Sequence, residues 1–183
     1  MRIVAGSLRG RRLNPPVNLP VRPTTDFAKE SLFNILRNKI DFEQCNALDL
    51  FCGTGSISFE FVSRGIKSIT SIDINPRCIS FINQTKEKFK VDNLFALRSD
   101  VFVYLGRSKM KFDVIFADPP YDMDKFDLVH RLVLDNFLNP GGLFILEHPK
   151  EYSYTEHPYF KEQRHYGKVN FSFFQQPEQI TQD

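Results

Sequence analysis

At 183 residues the chain suits one domain with a sizeable core, and its 42% hydrophobic and 25% charged residues are ordinary for a soluble globular protein. No apolar run approaches a bilayer span, and the opening Met1-Arg2-Ile3-Val4-Ala5-Gly6 lacks the apolar stretch and cleavage site of a secretory signal. A membrane protein is therefore excluded and a cytoplasmic location expected. The net charge of +2 is uneven: residues 1–39 hold eight Lys or Arg against Asp26 and Glu30, a local +6, and the remainder sums to −4.

Along the chain, Arg2 to Ala5 and Arg11 to Leu13 can pair as a small basic hairpin around Gly6 to Gly10. A phosphate-bearing partner accounts for this basic end, and so does a solvated face with no partner. Pro15, Pro16, Pro20 and Pro23 forbid regular structure until Thr24 or Thr25, which can cap a helix over about Phe27 to Lys39. Its apolar positions Phe27, Leu32, Phe33, Ile35 and Leu36 recur at helical spacing and fit docking onto a sheet.

From Asn46 onward short apolar runs alternate with amphipathic stretches, the pattern of βα units in a parallel sheet. Strands are predicted at Ala47 to Phe51, Ser68 to Asp73, Leu94 to Arg98, Phe112 to Ala117 and Leu143 to Glu147. Helices are predicted at Ile57 to Arg64, Pro76 to Phe89 and Lys125 to Phe137, with a short turn at Val101 to Leu105. Pro76 suits a first helical turn, where its missing N–H would be unpaired anyway. Gly141-Gly142 supplies the turn into the fifth strand.

Gln163 to Tyr166 and Val169 to Phe173 flank Gly167-Lys168, a two-residue loop suited to a hairpin that closes the sheet edge. Gln175 to Asp183 is polar, contains Pro177 and reads as a frayed tail. The expected organisation is an arm at 1–23, one domain at 24–174 and a tail at 175–183.

Asp49-Leu50-Phe51-Cys52-Gly53-Thr54-Gly55-Ser56 follows the first strand and opens a helix. Gly53 and Gly55 let backbone turn tightly and approach a ligand, or simply make the turn. The dinucleotide fingerprint fails at its third glycine, where Ser58 stands, and no Gly-Lys-Ser/Thr marks a triphosphate loop. Asp73 ends the second strand twenty residues after Gly53, a placement from which a carboxylate accepts hydrogen bonds from both ribose hydroxyls. An adenosine-containing cofactor is thus favoured. Asp100, ending the third strand, suits an adenine amino group or a helix cap.

The most specific signal is Asp118-Pro119-Pro120-Tyr121 at the end of the fourth strand, where parallel sheets bind ligands. Two prolines fix the backbone and donate nothing, so carbonyls and one carboxylate face the cleft. An amino group with two N–H donors fits: one bonds to the Asp118 carboxylate, the other to the Pro119 carbonyl, and Tyr121 stacks on the ring. As a bare structural element the same tetrapeptide would be a rigid turn.

Cys45, Cys52 and Cys78 lack paired spacing and the four histidines are scattered, so neither a disulfide framework nor a metal site is expected.

Taken together these residues resemble the Rossmann-like class I methyltransferases, and over residues 1 to 175 the chain resembles the RsmD-type family of small-subunit ribosomal RNA guanine-N2 methyltransferases. Arg2-Ile3-Val4-Ala5-Gly6 with Arg9-Gly10-Arg11, and Arg22-Pro23-Thr24-Thr25-Asp26 with Glu30-Ser31-Leu32-Phe33-Asn34, carry the family-specific part of the likeness. The resemblance implies an α/β fold: a mostly parallel seven-stranded sheet with helices on both faces, an antiparallel C-terminal hairpin and a basic N-terminal hairpin extension. It implies S-adenosylmethionine as cofactor, met by Arg22, Thr24 and Thr25, by Asp49, Phe51, Gly53 and Gly55, by Asp73, Ile74, Asp100 and Val101, and by Asp118. Asp118, Pro119 and Tyr121 would be catalytic, and Arg9, Arg11 and Arg12 would grip RNA. The implied partner is 16S ribosomal RNA in an assembled or partly assembled small subunit, with a guanine flipped into the pocket of a monomeric enzyme.

Asp-Pro-Pro-Tyr serves a DNA adenine-N6 methyltransferase equally well, but no separate region for reading DNA sequence is present. A protein-glutamine methyltransferase generally presents Asn where this chain has Asp118. An RNA-binding assembly factor that has lost catalysis would not need intact Asp73 and Asp118, and a nicotinamide oxidoreductase would want the missing third glycine.

Overall fold

The computed structural model describes residues 1–16, 19, 25–167 and 169–178. Arg22, Thr24, the Lys168 of the hairpin loop and residues 179–183 of the tail lie outside the described residues.

The expected mostly parallel seven-stranded sheet with helices on both faces is present. Its strands are β1 (Asn46–Leu50), β2 (Ser68–Asp73), β3 (Leu94–Arg98), β4 (Phe112–Ala117), β5 (Leu138–His148), β6 (Phe160–Tyr166) and β7 (Val169–Gln175). They lie in the order β3-β2-β1-β4-β5-β7-β6. β3 to β5 run parallel, while β7 pairs antiparallel with both β5 and β6. The chain runs outward from β1 to β3 and then restarts at β4 on the other side of β1. That reversal leaves a crevice at the strands' carboxyl ends.

Among the described residues five α-helices cover the faces: α1 (Asp26–Leu36), α2 (Ser56–Ser63), α3 (Pro76–Phe89), α4 (Val101–Arg107) and α5 (Phe126–Asn136). Strand alternation sends Ala47, Val114, Phe116 and Ile145 into one core with Phe33 of α1, Phe59 of α2 and Ile82 of α3. Leu48, Leu50, Ile115 and Leu146 enter the other with Val101 of α4 and Val129 of α5. Local chemistry sets the helix starts. Thr25 Oγ1 accepts from Ala28 N–H at 3.2 Å, Asn75 Oδ1 from Arg77 N–H at 2.9 Å ahead of Pro76, and Asp100 Oδ1 from Val103 N–H at 3.0 Å.

Four expectations change. α1 ends at Leu36 rather than Lys39, because Asn38 and Lys39 N–H donate three residues back, to Ile35 and Leu36. The turn expected at Val101 to Leu105 is a capped helix that runs to Arg107. Gly141-Gly142 does not precede the fifth strand but bulges within it: the partner of Phe112 is Leu138 and that of Val114 is Leu143, with Gly141 at φ +74°. The expected tail stays paired beyond Gln175, since Gln176 N–H donates to Gly142 O and Gly141 N–H to Pro177 O.

The N-terminal pairing forms, as a bridge between Arg2 and Arg12 with Ile3 N–H donating to Arg11 O and Gly10 N–H to Ile3 O. It docks on α2. Val4 and Ala5 N–H donate to the Glu60 carboxylate at 2.9 and 3.1 Å, and Leu8 N–H donates to Ser63 Oγ. Gly6, at φ +82°, lies so close to α2 that a Cβ would sit 1.7 Å from Ser63 O, so glycine is obligatory there. Glu60 is fully buried, as is Lys29 3.7 Å away, and Arg64 Nη2 reaches Glu60 at 2.9 Å. Burial lowers the Lys29 pKa, while Glu60 and Asp26 beside it act the other way. Lys29, counted among the basic residues of a surface, is thus an internal clamp that also donates to Arg2 O at 2.6 Å. Among the described residues, no helix is long and apolar enough to cross a membrane.

Candidate active site

The carboxyl ends of the parallel strands open into a cavity of about 580 Å³. Thr25 of the α1 cap borders it, and each strand end contributes a carboxylate: Asp49 from β1, Asp73 from β2, Asp100 after β3, Asp118 after β4 and Glu147 from β5. Among the described lining residues none is Lys or Arg. So dense an acidic wall suits a ligand carrying positive charge.

Asp49 is 1% exposed, and burial lifts its pKa to about 7. Its hydrogen bond from Ser58 Oγ opposes the rise and the nearby Asp73 carboxylate adds to it. Ser58 Oγ lies 2.8 Å from Ser71 Oγ, so a short hydroxyl chain links β1, α2 and β2 beneath the loop. The residue that breaks the dinucleotide fingerprint is therefore part of the site's support.

The loop turns through left-handed backbone at Phe51 (φ +61°), Gly53 (φ +51°) and Gly55 (φ +73°). Phe51 and Gly53 line the cavity and Gly55 does not. A Cβ on Gly55 would meet Ile82 of α3 at 2.9 Å, so the close approach of α3 also requires glycine there. Gly53 N–H and Asn75 N–H each donate at 2.8 Å to a different oxygen of Asp73. Both oxygens are thereby fixed, and each keeps acceptor capacity toward the cavity. Ile74 and Val101, one residue past Asp73 and Asp100, add apolar walls. Asp100 both lines the cavity and caps α4. Carboxylates fixed at the strand ends beside two apolar walls fit the ribose, adenine ring and cationic tail of S-adenosylmethionine.

Asp118 N–H donates to Leu50 O at 3.4 Å, which ties the start of Asp118-Pro119-Pro120-Tyr121 to β1. All four residues line the cavity. Tyr121 packs edge-on against Phe126, with ring centroids 6.5 Å apart, and donates its hydroxyl to Glu147 Oε1 at 3.2 Å. Cys52 and Cys78 also line the wall, and burial raises both thiols, Cys78 to about 11, so neither supplies a thiolate nucleophile.

The structure thus brings together Thr25, Asp49, Phe51, Gly53, Asp73, Ile74, Asp100, Val101, Asp118, Pro119 and Tyr121. Arg9, Arg11 and Arg12 lie apart, exposed on the arm, with the Arg11 guanidinium 4.9 Å over the Phe89 ring of α3. Sequence reasoning missed Glu147 and Val169 on the cavity wall. Glu147 carried a signal, an acid ending an otherwise apolar strand; Val169 carried none.

Residues 1–175 match the model of the family described as conserved hypothetical protein 95. The ribosomal RNA small subunit methyltransferase D of Haemophilus influenzae is 32% identical over 159 residues, 82% of this chain and 80% of that protein. The protein of the same name from Buchnera aphidicola is 30% identical over 149 residues, 80% of this chain and 75% of its own. A solved structure of a hypothetical protein from Thermus thermophilus superposes with a TM-score of 0.83 at 27% identity, covering 95% of this chain and 98% of that one.

Proposed function

Because this chain belongs to the RsmD-type family, the one described as conserved hypothetical protein 95, we propose that it methylates the exocyclic N2 amine of a guanine in small-subunit ribosomal RNA. The observation that carries the reading is the placing of the Asp118 carboxylate beside the donor-less Pro119-Pro120 pair and Tyr121 in the wall of a cavity lined by five carboxylates.

S-adenosylmethionine, when bound, supplies an electrophilic methyl on a sulfonium. Asp73 accepts from its ribose hydroxyls, Asp100 from its adenine amino group, and Asp49 stands below the loop at a position suited to its ammonium. Arg22 and Thr24 are proposed contacts of the same cofactor, beside Thr25. An exocyclic amine is a poor nucleophile because its lone pair is delocalised into the ring. The Asp118 carboxylate and Pro119 carbonyl each accept one of its protons and draw the nitrogen toward tetrahedral geometry, freeing the lone pair for in-line attack. Asp118 stabilises the positive charge that develops on nitrogen and takes the proton, directly or through water. Tyr121 gives the flipped base a stacking face.

The exposed Arg9, Arg11 and Arg12 of the docked arm hold RNA phosphates outside the pocket. The reading extends to an assembled or partly assembled subunit as substrate, a monomeric enzyme and a cytoplasmic location.

The test is transfer of labelled methyl to small subunits, naked ribosomal RNA and DNA that lack the modification, followed by nucleoside analysis. N2-methylguanosine from a ribosomal substrate, lost in Asp118→Ala with cofactor binding retained, is the expected result. N6-methyladenine in DNA, or full turnover by Asp118→Ala, would overturn it.

A further inference from the structure

β4 and β5 run parallel with Phe116 opposite Ile145 and Ala117 opposite Leu146. Asp118 directly follows β4 and Glu147 directly follows Leu146 in β5, so both stand at the carboxyl end of this strand pair. Alternation gives both the face of Phe116 and Ile145, and both line the cavity. Glu147 is 5% exposed. A carboxylate taken so far out of water is costly unless donors meet it, and the Tyr121 hydroxyl does so at 3.2 Å. A base stacked on the Tyr121 ring lies in the cavity that Asp118 and Glu147 both line.

Purines differ at that edge. Guanine presents two neighbouring donors, the N2 amine and N1–H. Adenine presents its amine beside a bare N1 acceptor. Asp118 and Pro119 read only the amine, which the two bases share, and so cannot choose between them. A second acceptor alongside accepts from N1–H of guanine and meets the N1 lone pair of adenine with repulsion.

Building on the guanine-N2 reading above, we infer that Glu147 is the specificity residue of this site: it accepts a hydrogen bond from N1–H of the target base and thereby admits guanine and rejects adenine. The residue at the end of β5 carries the choice of base, and the residues after β4 carry the chemistry.

2-Aminopurine tests this directly, because it keeps the 2-amino group and lacks N1–H. The methylated guanine is first mapped, then replaced by 2-aminopurine in otherwise identical RNA. Methyl transfer is measured for both substrates with wild type and Glu147→Gln, and 2-aminopurine fluorescence reports entry of the base independently of transfer. Wild type should favour guanine by roughly ten- to a hundredfold, the discrimination that a lost hydrogen bond to a charged group produces. Glu147→Gln should bring that preference close to parity, because its amide offers a donor to the bare N1. The contribution of guanine O6 is common to both proteins and cancels in the comparison. An unchanged preference in Glu147→Gln, with both substrates slowed equally, would overturn the inference and leave Glu147 as a support for Tyr121. Equal use of guanine and 2-aminopurine by wild type would overturn it without recourse to the variant. Absence of transfer to guanine altogether refutes instead the reading on which the inference rests.

Discussion

Replacing Asp49 with Asn separates what this carboxylate costs the fold from what it gives the site. An unfolded Asp titrates near 3.8, and burial raises Asp49 in the folded chain to about 7. Between those values the folded state keeps a proton that the unfolded state has released, so the contribution to stability is greatest in acid and falls as pH rises. Above pH 7 both states are ionised and the whole penalty stands, about 4 kcal/mol at roughly 1.4 kcal/mol per pH unit. Asn retains an oxygen toward Ser58 Oγ and carries no charge. Asp49→Asn should therefore match wild type in urea unfolding near pH 4 and exceed it by about 2–4 kcal/mol near pH 8. At pH 8 it should also bind S-adenosylmethionine at least about tenfold more weakly in calorimetry, since a charge-assisted contact to the ammonium is lost. Unfolding curves that keep the same separation at pH 4 and pH 8 would show that Asp49 carries no buried-charge penalty, and the reasoning would fail.

The arm should be released by Glu60→Ala. The change removes the carboxylate that meets buried Lys29 and half-buried Arg64 and the acceptor of Val4 and Ala5 N–H, a loss of about 3–5 kcal/mol for a broken buried pair. Trypsin cleavage at Arg9, Arg11 and Arg12 should accelerate by about two orders of magnitude, and an unchanged rate would refute the clamp. His130 packs against Tyr154 and Phe174 with its ring 8% exposed, and burial lowers its pKa from 6.5 to about 4. The unfolded chain then takes up the proton first, so stability should fall by about 3 kcal/mol as pH drops from 6.5 to 4. His130→Phe should remove that part of the slope in denaturant titrations, and an identical slope would contradict it. Arg9→Ala with Arg12→Ala should weaken RNA binding and lower the salt slope by roughly 1.5, with cofactor affinity unchanged. Filter binding across a salt series measures this, and an unaltered slope would mean that these side chains touch no phosphate.

Local pattern decided much of this molecule. Apolar runs at strand spacing located β2, β3 and β4 to the residue, and Pro76 marked the first turn of α3, because such signals act between neighbours in the chain. Asp73 and Asp118 were legible for the same reason, each at the end of a strand whose carboxyl edge faces ligand in any parallel sheet. Composition pointed to a basic N-terminal end but could not tell its charges apart. Lys29 became an internal clamp and Arg9 an exposed cation only when α1 and α2 closed over one of them. The packing of Gly55 against Ile82 could not be read from the sequence, because Ile82 lies 27 positions away along the chain and no periodicity links them. Glu147 and Tyr121 stand 26 residues apart and meet only through the pairing of β4 with β5. Neighbouring residues were enough to set which elements form and which strand ends carry acids. Which of those acids share one cavity was settled by folding, since contact between distant residues depends on strand order and register, and neither is written in any local stretch of chain.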